Sequence, residues 1–124
     1  MSINRVVLSG NLTRDPQIKA TQSGSNIALF TIAVGHFYKG EKKTSFVDVK
    51  AFGKNAELLR DYLKKGSPIG IDGTLQQESW ESREGEKRSK LVVYCERIDF
   101  FGLKKQETQN KTNDMEEKKN YDWF

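Results

Sequence analysis

A single stretch of this chain repeats its apolar residues at helical spacing. In residues 54–65, Ala56, Leu59 and Leu63 fall on one face, with Leu58 and Tyr62 beside them. Lys64 and Lys65 follow at the end where the helix dipole favours cations, and Gly66 supplies a left-handed stop. Every other apolar segment repeats at two or runs short, which is strand behaviour. Arg5–Leu12 places Val6, Leu8 and Leu12 on one side. Ile27–Phe37 is apolar on both sides, so both of its faces should be covered. Ser45–Phe52 alternates strictly, Pro68–Trp80 carries Ile69, Ile71, Gly73 and Leu75 on one face, and Leu91–Phe101 is the last strand.

The punctuation between these segments is turn chemistry. Asp15-Pro16 ends the first strand, because the residue before a proline avoids the helical region. Gln22–Asn26 is polar and glycine-bearing, Tyr38–Lys43 reads as a charged loop, and Ser82–Lys90 reads as a hydrophilic loop with Gly85 at its tip. Three strands, one helix and two strands is the order that a five-stranded OB barrel requires. The predicted class is all-β: a five-stranded OB-fold Greek-key barrel with one short helix between strands 3 and 4, plus a disordered C-terminal tail. The barrel takes residues 1–104 and the tail 105–124. Between Gln106 and Asn120 only Met115 is apolar, too little to repay the entropy of ordering.

Composition narrows the chemistry. The 124 residues are 35 % hydrophobic, with a mean hydropathy of -0.73, so one small core is expected. No apolar run approaches the ~20 residues that span a bilayer. Met1-Ser2-Ile3-Asn4-Arg5 lacks the series of a secretory signal, so a cytoplasmic, nucleoid-associated location without membrane contact is expected. Cys95 is alone, which excludes an internal disulfide and a cysteine metal cluster and leaves a small core residue. With His36 as the only histidine and no glycine-rich phosphate loop, no catalytic constellation is legible; the chain is read as a non-enzyme without cofactor or metal. His36, beside Phe37 and Tyr38, suits a surface or nucleic-acid contact. Net charge is +4, divided as +5 over residues 1–104 and -1 over the remainder. A basic body suits a polyanion.

Residues 45–52 carry the most specific signal. Val47, Val49 and Ala51 are aliphatic and claim the inside; Phe46, Asp48, Lys50 and Phe52 are left outside. Aromatic rings interleaved with lysines on an outward face are what stacking of bases requires. The same interleaving occurs at Phe37-Tyr38-Lys39 and at Trp80, which opens the segment with Arg83, Lys87, Arg88 and Lys90. The candidate contacts are therefore Tyr38, Phe46, Phe52 and Trp80 for bases, and Lys50, Lys54, Arg83, Lys87 and Arg88 for phosphates. Ordinary packing is the competing account of each ring.

Four motifs resemble those of bacterial single-stranded DNA-binding proteins, in the family's order and spacing. They are Asn4–Leu12 followed by Asp15-Pro16, Phe52-Gly53-Lys54-Asn55-Ala56-Glu57, Tyr62-Leu63-Lys64-Lys65-Gly66-Ser67 and Ile71-Asp72-Gly73-Thr74-Leu75. The resemblance covers about residues 3–103. It implies homotetramers of OB folds that wrap single strands during replication, recombination and repair, with stacking rings at Tyr38, Phe46, Phe52 and Trp80. A primosome-type OB protein, mainly a recruitment module, is the nearest alternative; a nuclease is disfavoured by the missing histidines and metal spacings. The family's tail usually closes on an acidic run and Ile-Pro-Phe. This chain closes on Tyr121-Asp122-Trp123-Phe124, with Lys118 and Lys119 offsetting Glu116 and Glu117. The expected partner contacts, to replication and repair proteins, are Asp122, Trp123 and Phe124, with the terminal carboxylate captured by a basic residue. Deleting residues 121–124 should leave affinity for single strands intact and abolish capture of such proteins in pull-downs. Unchanged capture would remove the tip's assigned role.

Overall fold

The computed structural model describes residues 1–101; the tail, with Asp122, Trp123 and Phe124, lies outside them. Its elements are β1 (Val6–Leu12), β2 (Gln17–Ala20), β3 (Asn26–Tyr38), β4 (Glu41–Phe52), α1 (Lys54–Tyr62), β5 (Pro68–Glu81) and β6 (Lys87–Asp99). The sheet runs β1-β5-β6-β4-β3, and β1 pairs again with β3 at Asn11↔Ala33 and Leu12↔Ile32. That second pairing closes five strands into the expected barrel, with the helix between its third and fourth long strands. All pairings are antiparallel except β4 with β6.

Alternation decides the interior. Ala28, Phe30 and Ile32 of β3, Val49 and Ala51 of β4, Ile69 and Ile71 of β5, and Val93 and Cys95 of β6 point into one core with Leu12. The helix packs on β3, β4 and β6 and adds Ala56 and Leu59. Its tyrosine, Tyr62, lies 6.2 Å from Phe100, tying the helix end to the end of the barrel. Cys95 is a core residue, and burial pushes its thiol up to about 11.

Four boundaries differ from the sequence reading. The helix stops at Tyr62, because Leu63 turns extended (φ -120°, ψ 149°) to enter the core; Lys64 and Lys65 lie beyond it, where Gly66 N–H and Ser67 C=O pair with Leu12. Tyr38–Lys43 is not a loop: Lys39 and Gly40 both have positive φ (52° and 81°), which matches the twist of a two-residue hairpin, and Glu41–Lys43 are strand. The loop at Ser82–Lys90 shrinks to Ser82–Glu86, because Lys87–Lys90 pair with Glu78–Glu81. Finally, β2 was unread: Gln-Ile-Lys-Ala has one strongly apolar residue, and it becomes a strand by lying along Asn26–Leu29.

The β5–β6 ribbon bends at one place. Asp72 faces Arg97 while Gly73 faces Cys95, so Glu96 is an extra residue on β6. Arg5 holds this bulge from outside, bridging Glu96 (2.9 Å) and Asp72 (3.1 Å). At Gly73 the two backbones approach so closely that a Cβ would lie 2.0 Å from the Tyr94 carbonyl oxygen. Gly73→Ala should therefore force the strands apart and destabilise the barrel by about 1–3 kcal/mol, measured by urea unfolding. A neutral result would mean that the bulge can relax.

Candidate nucleic-acid interface

The core takes one side of β4, so Phe46, Asp48, Lys50 and Phe52 share its outer side. Register extends this face across the sheet. On β3 they lie opposite Ala33, Thr31, Leu29 and Ile27. On β6, Lys50 lies opposite Tyr94. On β5, Thr74, Gln76, Glu78 and Trp80 pair with Tyr94, Val92, Lys90 and Arg88. Phe46, Phe52 and Trp80 are 68 %, 41 % and 49 % exposed, so none is a core ring. Val92 is buried outside the core cluster, as part of the lining of a groove on this face.

That groove, of about 380 Å³, is lined by Arg14, Gln17, Leu29, Thr31, Asp48, Lys50, Glu78, Trp80, Lys90 and Val92. Its polar groups form two linked sets. Glu78 accepts a hydrogen bond from the Tyr94 hydroxyl (2.5 Å) and pairs with Lys50 (2.6 Å). Asp48 accepts one from Thr31 Oγ1 (2.7 Å) and pairs with Lys90 (3.1 Å). Hydrogen bonds from Lys50 and Tyr94 hold the Glu78 carboxyl below the usual range; those from Thr31 and then Lys90 do the same for Asp48. Tyr94 is raised in turn by its bond to Glu78. Its ring lies 5.3 Å from Phe52, and the Lys50 ammonium stands 6.0 Å from its centre. A second hollow, about 420 Å³ and lined by Val7, Asp72, Arg97 and Phe101 among others, carries one aromatic ring and no lysine.

The expected contact residues separate into groups. Phe46, Lys50, Phe52 and Trp80 share the outer face, and Arg88 lies across from Trp80 while pairing with Glu86 at 2.9 Å. Lys54 is exposed at the start of α1, next to Phe52, and Arg83 sits in the turn after β5. Lys87 pairs with Glu81, which alternation puts on the reverse of the ribbon from Trp80. Tyr38 is exposed at the tip of β3, also out of phase with Phe46; its neighbour Phe37 is the ring in phase. Two residues went unread: Tyr94, whose signal was its place between core residues Val93 and Cys95, and Glu78, which looked like one more solvated carboxylate.

A five-stranded barrel with exposed rings beside a cation-bearing groove on one face defines an OB barrel equipped to hold unpaired bases. Residues 3–101 match the single-strand binding protein family, and the chain belongs to it. Among its relatives, "Single-stranded DNA-binding protein 1" of Staphylococcus aureus (strain MSSA476) is 39 % identical over 91 % of this chain and 73 % of its own length. "Single-stranded DNA-binding protein" of strain MRSA252 is 41 % identical over 80 % of this chain and 65 % of its own length. "Single-stranded DNA-binding protein 2" of strain COL is 38 % identical over 86 % of this chain and 79 % of its own.

The lowered Glu78 carboxyl makes a pH prediction. A folded-state value below the ordinary 4.5 adds stability that is present above 4.5 and lost as pH falls through the folded value. The wild type should therefore melt higher than Glu78→Gln at neutral pH, and the gap should shrink as pH is taken below about 4.5. A gap that stays constant into acid would mean that charge pairing does not stabilise this face.

Proposed function

We propose that this protein binds and protects single-stranded DNA without sequence preference, in replication, recombination and repair. The observation that carries this reading is the set of three exposed rings, Phe46, Phe52 and Trp80, on the same outer face as a cation-bearing groove. Rings held outside a filled core offer π-faces that every base can use, so stacking tolerates any sequence. Among the described residues Lys54, Arg83 and Lys87 make no ion pair and are available to phosphate; Arg88 becomes so on leaving Glu86, while Lys50 is held by Glu78 and meets phosphate only where that pair opens. No reaction is assigned, and the role is binding in the cytoplasm, at the nucleoid.

The proposed assembly is a homotetramer. Val7, Leu75 and Leu91 are apolar and exposed, and burial against other copies would remove them from water. A monomer in sedimentation equilibrium at working concentration would overturn this part. The tail tip, Asp122-Trp123-Phe124, is proposed to recruit replication and repair proteins to the coated strand.

Titration with oligo(dT), against a duplex of equal length, tests the binding. Phe52→Ala and Trp80→Ala should each weaken single-strand affinity by about 1–3 kcal/mol per stacked base, with little change in melting temperature. Affinity should fall with salt at a log–log slope of roughly -0.7 per neutralised phosphate. Duplex should bind far more weakly, since its bases cannot reach the rings. Equal affinity for duplex, or a Phe52→Ala protein that unfolds yet keeps its affinity where folded, would refute the reading.

A further inference from the structure

Three cations and two carboxylates line the groove: Arg14, Lys50, Lys90, Asp48 and Glu78. Each lysine already has its anion, Lys50 at 2.6 Å from Glu78 and Lys90 at 3.1 Å from Asp48. Each carboxylate is in turn anchored by a hydroxyl, of Tyr94 or Thr31, so it cannot swing away without losing a hydrogen bond. The anchors sit on different strands, β6 and β3, and hold the carboxylates on the face itself. We propose that Asp48 and Glu78 are specificity determinants: they cancel the charge of Lys50 and Lys90, so that the groove admits stacked bases and turns away polyanions that offer phosphate alone.

The physical reason is competition at short range. A phosphate approaching Lys50 meets the Glu78 carboxylate about as close as the lysine, and must displace it to gain a contact. A base entering beside Trp80 or Phe52 leaves both pairs intact and gains its stacking in full. Duplex DNA presents phosphates but no free base face, so it meets the repulsion without the compensation. Both carboxyls lie below their ordinary range and are ionised at neutral pH, which keeps the filter in place under working conditions. Arg14 makes no ion pair among the described residues and leaves the groove with one net positive charge.

This inference rests on the single-strand reading above, and one experiment tests both separately. The full-length wild type, Glu78→Gln, Asp48→Asn and the double variant Lys50→Gln/Glu78→Gln are titrated by anisotropy with labelled oligo(dT) and with duplex, over a range of NaCl. Glu78→Gln and Asp48→Asn should each bind both ligands more tightly, duplex by the larger factor, so that the single-strand to duplex affinity ratio falls severalfold. The slope of log affinity against log salt should steepen by roughly 0.7 on the single strand for each lysine released. Lys50→Gln/Glu78→Gln, which removes the pair together, should bring the slope back. The amides keep the shape and still accept from Tyr94 and Thr31, and the two sites test the idea independently should one variant fold poorly. A ratio unchanged or raised in a folded variant, while the wild type prefers oligo(dT), would overturn this inference alone. A wild type that does not prefer oligo(dT) would overturn both.

Discussion

The structure depends on one short junction: the parallel pairing of β4 with β6 at Val49↔Val93, Lys50↔Tyr94 and Ala51↔Cys95. It joins the β3–β4 hairpin to the β5–β6 hairpin, which β1 also links through its own pairings with β3 and β5. On its inner side it seats Val49, Ala51, Val93 and Cys95 in one core. On its outer side it brings Lys50 to Tyr94, and through Tyr94 to Glu78 on β5. The same short pairing thus serves the core on one side and the candidate site on the other. A slip of one residue here would turn both sides over.

The face owes its character to what the interior refuses. A barrel of this size is filled by aliphatic side chains from five strands and by Ala56 and Leu59 from the helix. Phe46, Phe52 and Trp80 stay outside it, because alternation commits them outward. Exposed rings are costly to a protein alone in water and become an asset when a base covers them. Cations between the rings sharpen this, but an unopposed cluster would hold any polyanion. Anchoring Glu78 and Asp48 beside the lysines keeps the face near neutral while leaving the rings uncovered.

Much of this was readable beforehand, for local reasons. The strict alternation of Ser45–Phe52 separated Val49 and Ala51 from Lys50 and Phe52 because strand geometry alone enforces it. The single helical repeat placed α1 between two groups of strands. Where reading failed, the cause was pairing with an adjacent strand, or a turn conformation, that composition alone does not carry. Lys87–Lys90 are charged and looked like loop, yet they complete β6 because Glu78–Glu81 offer a ladder and complementary charge. Gln17–Ala20 is strand only because β3 has an edge to pair with. Lys39-Gly40 looked like the middle of a loop, and only backbone angles show that it is the whole turn.

The sequence by itself determined the class of fold, the inward side of β4 and the rings left outside, since these follow from periodicities that a strand carries within itself. Tertiary structure decided which outward residues meet. Tyr94 and Glu78 lie 16 positions apart, and Asp48 and Lys90 lie 42 apart. No local pattern relates such residues; only register does. The same register put Phe37 rather than Tyr38 in phase with Phe46, and gave Lys50 an anion before any strand arrives. Alternation is a property of one strand and is legible in one dimension. Charge pairing across a barrel belongs to the closed surface, and exists only once the chain has folded.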